Sequence, residues 1–407
     1  MLRKPIINTV VQILGKGMMV AIGLISTGIL TRSLGSVVFG WFTLTTSVFI
    51  LLDALADFGT RIIGVREISQ VGGVAGRQKF KEVFVLRILM ASLATMIGLV
   101  VVWGWEGFGE IRWEATLLLL MIILTSVAGS LEILFQVEMR MEKKVLVDLL
   151  FPLLSLIWLV WWREKIELGL VFGGYVVARF LSLWVGVGLV GGWRLKVEGL
   201  NIDWLGLFKL FKESWPVGLY LIIFTAYDRA VDSLMIERLL GVREVAWYGL
   251  AYKIYLNLLQ PAYFWVSSVF PLLAGGNKKK KRLFWASLAI LTVVVGMIIG
   301  VISIGAPVIV EIIGGESFGA SAGVLRILVW ACLFSYIGHL LGFSLISRQG
   351  QREMLGSGVL ALIFNILANW WMIPRFGMYG AAGVTVATEA LGCGMMGWNL
   401  WRKVRAR

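Results

Sequence analysis

The chain has 407 residues, of which 59% are hydrophobic and only 15% are charged, and it carries a formal net charge of +14. A soluble domain would contain about 25% charged residues. This composition excludes a soluble globular protein and predicts a protein that crosses a membrane repeatedly. The basic residues are spread over many short segments and form no single patch, so we expect no nucleic-acid partner.

Apolar runs of about 20 residues recur along the chain, and each can cross a hydrocarbon core about 30 Å thick. They are too long and too uniformly apolar for the alternating strands of a membrane barrel. We therefore predict an all-α integral membrane protein with about twelve transmembrane helices. The predicted spans are 7–30, 38–60, 83–105, 113–136, 146–162, 167–192, 215–236, 245–273, 283–307, 321–346, 355–373 and 378–400.

Lysine and arginine in the connections between spans predict the orientation. The flanks on one side hold 25 of these residues and those on the other side hold 7, and the bias alternates from loop to loop. Because basic residues are retained on the cytoplasmic side, we expect both termini to be cytoplasmic in a multi-pass protein of the cell membrane. The net positive charge is then mainly a consequence of topology.

The spans divide into two halves with a similar internal pattern. Residues 31–44 (TRSLGSVVFGWFTL) resemble residues 237–250 (ERLLGVREVAWYGL) at an offset of 206, and each stretch joins the first two spans of its half. We predict six-helix lobes at 1–200 and 201–407, with an amphipathic interfacial helix at 201–213 connecting them. Six spans per half imply bundles related by a pseudo-two-fold axis along the membrane normal, as in transporters that bind substrate at the repeat interface.

Several polar residues lie inside predicted spans of the first half, where each charge costs roughly 2.5–3.5 kcal/mol. In the first span, Gln12 and Lys16 are four residues apart and share a helix face. Asp53 in the second span is a buried acid without an obvious local partner, and Asp57 is expected to pair with Arg61. Arg179 lies near the middle of the sixth span.

The second half contains a comparable set. Asp228, Arg229 and Asp232 fall within about one turn of the seventh span, and Lys253 and Asn257 are four residues apart in the eighth. The later spans add Arg326 in the tenth and Glu389 in the twelfth. These charges either form packed interhelical ion pairs or line a water-filled cationic cavity between the halves, which would suit a phosphate or pyrophosphate.

No motif for nucleotide, metal or covalent chemistry is present. The sequence has no GxxxxGK[ST] loop, no HExxH and no cysteine–histidine cluster, and the predicted external loops are short. We therefore expect no catalytic residue, no metal site and no cofactor. These absences favour a transporter over an enzyme such as a membrane glycosyltransferase.

Three blocks of residues resemble the polysaccharide-exporter branch of the multidrug/oligosaccharidyl-lipid/polysaccharide superfamily. They are 30–35 (LTRSLG) with 57–59 (DFG), then Trp215-Pro216 with Asp228-Arg229 and Asp232, then Asn365, Asn369 and 373–377 (IPRFG). The resemblance implies two six-helix bundles, alternating access and a polyprenyl-phosphate- or pyrophosphate-linked sugar as cargo. It also implies that cavity cations bind the phosphates, a role that falls to Lys16 and Lys253 by position and charge.

The partners expected from this resemblance are the lipid-linked sugar, membrane lipids, an H+ or Na+ gradient and other glycan-assembly proteins. Asp53, Glu389, Asp228 and Asp232 are the candidates for ion coupling or gating. The main alternative is a cation-coupled multidrug exporter of the same superfamily, although its usual first-span acid is replaced here by Lys16. A membrane glycosyltransferase and a non-transporting assembly scaffold remain as further alternatives.

Overall fold

A computed structural model describes residues 3–71, 73–190, 203–274, 280–348 and 350–405. Every regular element in these ranges is a helix, and none of the described residues belongs to a strand. Eight helical stretches in this part of the chain are long and apolar enough to cross a membrane. The predicted all-α membrane fold is therefore confirmed.

The described residues up to 225 form seven α-helices. They are α1 (Arg3–Asp57), α2 (Thr60–Val71), α3 (Gly73–Gly104), α4 (Arg112–Val137), α5 (Met141–Trp161), α6 (Leu168–Leu189) and α7 (Trp204–Thr225). The described residues after 225 form six more. They are α8 (Val231–Leu240), α9 (Val242–Leu258), α10 (Gln260–Ala274), α11 (Lys280–Gly314), α12 (Ala320–Ile346) and α13 (Gln351–Arg405).

Two of these helices are bent into two legs each. The bend in α1 is at Gly35, with φ 71° and ψ 176°, and the bend in α13 is at Gly377, with φ 59° and ψ −147°. Both glycines adopt a positive φ that side chains with a Cβ rarely tolerate. Two other legs each consist of a pair of helices, α7 with α8 and α9 with α10. We number these legs in chain order and count α3, α4, α5, α6, α11 and α12 as one leg each. Because eight helical stretches of the described residues are long and apolar enough to cross a membrane, the count of about twelve spans stays a prediction.

The connecting helix predicted at 201–213 does not end before the seventh span. Residues 201 and 202 lie outside the described residues, and α7 continues without a break from Trp204 to Thr225 through Pro216. A π-helical turn, Ala226–Ala230, then leads into α8. Most of the predicted connecting helix and the start of the predicted seventh span therefore belong to one continuous helix.

The chain divides into two compact units. Unit one contains Met1–Leu34 and Thr45–Thr225, and unit two contains Gly35–Leu44 and Ala226–Arg407. The lobes proposed at 1–200 and 201–407 stay a prediction, because the change of unit falls within the seventh leg. In unit one an apolar cluster holds α2, α3, α4 and α7 together. In unit two α12 is central and packs against α9, α11 and α13.

Local backbone geometry repeats between the halves. Gly35 and Gly241 both combine a positive φ with an extended ψ, and each joins the first two legs of its half. Short 3-10 helices, Glu106–Phe108 and Glu316–Phe318, follow the third leg of each half. The phenylalanine that ends each of them is fully buried. This correspondence supports the internal duplication inferred from the sequence.

Within unit two, the start of the second leg packs very closely against α9. A Cβ added at Gly40 would overlap the carbonyl group of Val242, and one added at Gly249 would overlap the side chain of Thr43. Close approach of this kind through small residues is a common way to pack helices in membranes.

Candidate functional site

A buried arginine at the centre of unit one was not singled out from the sequence. The side chain of Arg87 in α3 is only 1% exposed, and its Nη1 lies 2.6 Å from Oδ1 of Asp57. It also donates hydrogen bonds to Thr60 Oγ1 at 2.8 Å and to the carbonyl of Ser126 at 3.2 Å. The predicted pair is confirmed, because Nε of Arg61 lies 2.9 Å from the same Asp57 oxygen.

The ion pairs continue from Arg61 to α4 and α5. Arg61 Nη1 lies 3.7 Å from Glu132, Lys144 Nζ lies 3.1 Å from Glu132, and Lys144 Nζ lies 2.6 Å from Asp148. Together these side chains form an alternating series, which we call the charge chain. Its members in order are Arg87, Asp57, Arg61, Glu132, Lys144 and Asp148. The series contains three acids and three bases, so its formal charge is zero.

Two of the predicted site residues, Asp53 and Arg179, lie beside the charge chain. Asp53 is half-buried and interacts electrostatically with Arg61 and Arg179. The Arg179 guanidinium lies over the ring of Phe151, 4.3 Å from its centre, and its buried Nε has no hydrogen-bond partner among the described residues. An arginine with an unused buried donor is a suitable group for an anionic ligand.

Asp232 in α8 is the centre of a buried polar cluster in unit two. The residue is 5% exposed, and its carboxylate accepts hydrogen bonds from Tyr248, from Thr385 at 2.9 Å and from Asn369 at 2.7 Å. Among the residues that the structure describes, none forms an ion pair with Asp232. Its negative charge is therefore hydrogen-bonded but has no described counter-charge.

The groups around Asp232 are rich in oxygen atoms. Asn365 Oδ1 accepts a bond from Asn369 at 3.2 Å, and Thr385 Oγ1 lies 3.1 Å from the carbonyl of Ala381. The buried Oδ1 of Asn369 accepts no hydrogen bond within the described part of the chain. An uncompensated carboxylate beside an unsatisfied amide oxygen can take up a proton or a small hard cation, which prefers oxygen ligands.

Lys253 in α9 is half-buried, and no carboxylate pairs with it among the described residues. Its Nζ lies over the Phe42 ring, 5.6 Å from the ring centre, in a cation–π contact. Asn257, one turn later, donates from Nδ2 to the carbonyl of Lys253 at 2.9 Å. The asparagine therefore bonds back to its own helix, and no acid among the described residues lies in an ion pair with the lysine.

The other predicted site residues are more dispersed. Lys16 is exposed and Gln12 is half-buried on the first leg of α1. Arg326 is exposed, and its Nε donates to the carbonyl of Ser303 at 3.0 Å, which ties α12 to α11. No observation tests the binding roles assigned to these three side chains.

The remaining residues proposed for coupling are Glu389 and Asp228. Glu389 accepts a hydrogen bond from Ser335 at 2.7 Å, and the same hydroxyl lies 3.0 Å from Tyr255. The side chains of Asp228 and Arg229 lie outside the described residues, although their backbone belongs to the π-helical turn.

Solved structures of two other membrane proteins have a similar fold. The structure is similar to the lipid II flippase MurJ in an inward closed conformation, with 12% identity, a TM-score of 0.76, and coverage of 95% of this chain and 86% of that one. It is also similar to an inward-facing multidrug resistance MATE family transporter of the MOP superfamily, with 15% identity, a TM-score of 0.73 and 95% coverage of each chain. No curated protein sequence matches significantly.

The chain therefore has the helical membrane fold that is shared by this lipid II flippase and by this transporter of the MOP superfamily. The family model described as polysaccharide biosynthesis protein matches residues 1–277, which is more than half of the chain. The chain belongs to the polysaccharide biosynthesis protein family, and the resemblance seen in its sequence motifs is confirmed.

Proposed function

We propose that this protein is a flippase, not an enzyme, that moves a polyprenyl-phosphate- or pyrophosphate-linked oligosaccharide from the cytoplasmic leaflet to the outer leaflet by alternating access. The family points to polysaccharide biosynthesis, and the fold is that of transporters and flippases. The observation that carries the proposal is Lys253, a half-buried ammonium group with no described carboxylate partner. Charged side chains within membrane spans are rare and commonly mark a substrate or ion pathway, and an ammonium group suits an anionic ligand.

Arg179 supports the same ligand chemistry in unit one. Its Nε is buried and has no hydrogen-bond partner among the described residues, and the charge chain beside it is already balanced. We assign phosphate binding to Lys253 and Arg179, together with Lys16. Gln12, Asn257, Arg229 and Arg326 complete the proposed set of polar groups for the headgroup. The lipid tail of the cargo would stay in the bilayer.

Replacing Lys253 tests the proposal. We expect Lys253→Ala to slow the flipping of a fluorescent polyprenyl-pyrophosphate sugar in proteoliposomes about tenfold or more, because a charge-assisted hydrogen bond contributes roughly 1.5–3 kcal/mol. Lys253→Arg should restore much of the rate, since it keeps the charge. Arg375→Ala is the matched control, because this exposed arginine interacts with Trp371 of its own helix.

An unchanged rate for Lys253→Ala would refute the assignment of phosphate binding. The multidrug exporter stays the second candidate function, because the fold of a MATE transporter matches 95% of the chain. Cells without this protein distinguish the two functions. A flippase predicts lipid-linked sugar accumulating on the cytoplasmic leaflet, whereas an exporter predicts drug accumulation with unchanged lipid-linked sugar.

We further propose that an H+ or Na+ gradient drives transport through Asp232. The supporting observations are its burial, its lack of a described counter-charge and the unsatisfied oxygen of Asn369 beside it. Asp53, Glu389 and Asp228 are the alternative coupling residues. Asp53 and Glu389 are less suitable on the described contacts, because Asp53 lies among basic groups and Glu389 is less deeply buried.

A further inference from the structure

A groove runs along the exposed faces of the two legs of α13, near the ends of the helix. Its volume is about 630 Å³, and most of its lining is apolar, including Leu360, Leu391 and Trp398. This size is in the range of clefts that hold small organic ligands. The two legs are tied together at one end of the groove by an ion pair between Lys403 and Glu353 at 2.8 Å.

Two glycines leave the groove open. Gly356 on the first leg and Gly394 on the second both line it, and a Cβ added at either position would meet no atom within 4 Å. The floor is therefore a concave apolar surface that the protein does not fill itself. In a bilayer such a surface is in contact with lipid chains, because protein and lipid pack without large voids.

Cationic side chains surround one end of the groove. Arg352, Arg402 and Arg405 are exposed there, next to the Lys403–Glu353 pair. These five groups sum to a formal charge of +3. The stacked rings of Trp398 and Trp401, 4.9 Å apart, lie at the same end, and indole rings of this kind favour the headgroup level of a membrane.

We propose that this groove is a binding site for an anionic phospholipid. One acyl chain lies along the apolar floor, and Arg402 and Arg352 hold the headgroup phosphate. Basic clusters beside membrane helices attract anionic headgroups by about 1 kcal/mol for each cation. The basic-residue asymmetry predicts that this end of α13 faces the cytoplasm, where the anionic leaflet lies. The site is independent of the transported cargo.

The test is native mass spectrometry of the purified full-length protein, titrated with phosphatidylglycerol or with phosphatidylcholine of the same acyl chains. We expect phosphatidylglycerol to bind at least about fivefold more tightly. Gly394→Leu should fill the groove and abolish this preference. Gly300→Leu is the matched control, because Gly300 on α11 is also exposed and has open space around it.

A second variant keeps the proposal testable if Gly394→Leu fails to fold. Arg402→Gln on the exposed rim should weaken phosphatidylglycerol binding about fivefold and leave phosphatidylcholine binding unchanged. Equal binding of both lipids by the unmodified protein would overturn the proposal, and so would equal losses in Gly394→Leu and Gly300→Leu. Displacement of phosphatidylglycerol by stoichiometric polyprenyl phosphate would also overturn it, because the groove would then belong to the cargo.

Discussion

At the scale of single residues, the burial of Asp232 has an energetic consequence. Burying an ionised carboxylate is costly unless it is paired or fully hydrogen-bonded. Hydrogen bonds from Tyr248, Thr385 and Asn369 offset part of that cost, but no described cation neutralises the charge. Binding of a proton or a metal cation would remove the remaining penalty. Binding of a proton or a cation to Asp232 should therefore change how stably α8, α9 and α13 pack together.

The coupling role that we propose for Asp232 gives a direct prediction. We expect Asp232→Asn to bind and exchange lipid-linked sugar but to lose acceleration by an imposed H+ or Na+ gradient, because the amide neither ionises nor attracts a cation strongly. The measurement is flipping in proteoliposomes with and without each gradient. Glu164→Gln is the control, since that side chain is 85% exposed. A normal gradient response in Asp232→Asn would transfer the role to another acid.

Whether a contact between two residues could be predicted depended on how far apart they are in the sequence. Asp57 and Arg61 are one helical turn apart, so their pair follows from helix geometry alone. The partners of Asp232 are 16 to 153 residues away in sequence, and only the packing of the legs brings them together. Arg87 was missed because an arginine near the start of a predicted span is expected to reach the membrane surface. Instead, it is fully buried against Asp57.

At the scale of elements, glycine positions control how the legs bend and approach one another. Gly35 and Gly377 allow two legs to continue as one bent helix, and Gly40 allows the second leg to approach α9 closely. Glycine inside a helix costs about 1 kcal/mol relative to alanine. The close contact at Gly40 must therefore stabilise the packing by more than this cost.

The direction in which a glycine-to-alanine substitution shifts the midpoint of thermal unfolding tests this interpretation. We expect Gly40→Ala to lower the midpoint of thermal unfolding in detergent by several degrees, because the new methyl group would overlap the Val242 carbonyl. Gly383→Ala on α13 should leave the midpoint unchanged or raise it, because a Cβ there meets no atom within 4 Å. The interpretation fails if both variants shift the midpoint in the same direction.

Hydrophobic length predicted the elements well, but not their continuity. The sequence identifies each leg because about 20 apolar residues are needed to cross a membrane. It predicted an interfacial connecting helix at 201–213, and in the structure one helix, α7, extends from Trp204 through Pro216 to Thr225. An amphipathic stretch and an apolar stretch can share one helix, and composition alone does not mark whether the backbone breaks between them.

At the scale of the whole molecule, orientation stays a prediction from charge asymmetry, and cysteine labelling tests it. After alanine replaces Cys332 and Cys393, we expect Arg163→Cys to react with a membrane-impermeant maleimide on intact cells. Arg140→Cys should react only after permeabilisation. Both native side chains are at least half exposed, at 69% and 50%. Labelling of Arg140→Cys alone on intact cells would reverse the predicted topology.

The charge chain has an electrical consequence. Moving one elementary charge through a membrane potential of 100 mV requires about 2.3 kcal/mol. The six members of the chain sum to zero, so their translation with unit one performs no net work against the field. Lys253 and Asp232 have no such compensation among the described residues. The proposed binding of cargo phosphates by Lys253 and of a cation by Asp232 therefore predicts that transport depends on the membrane potential.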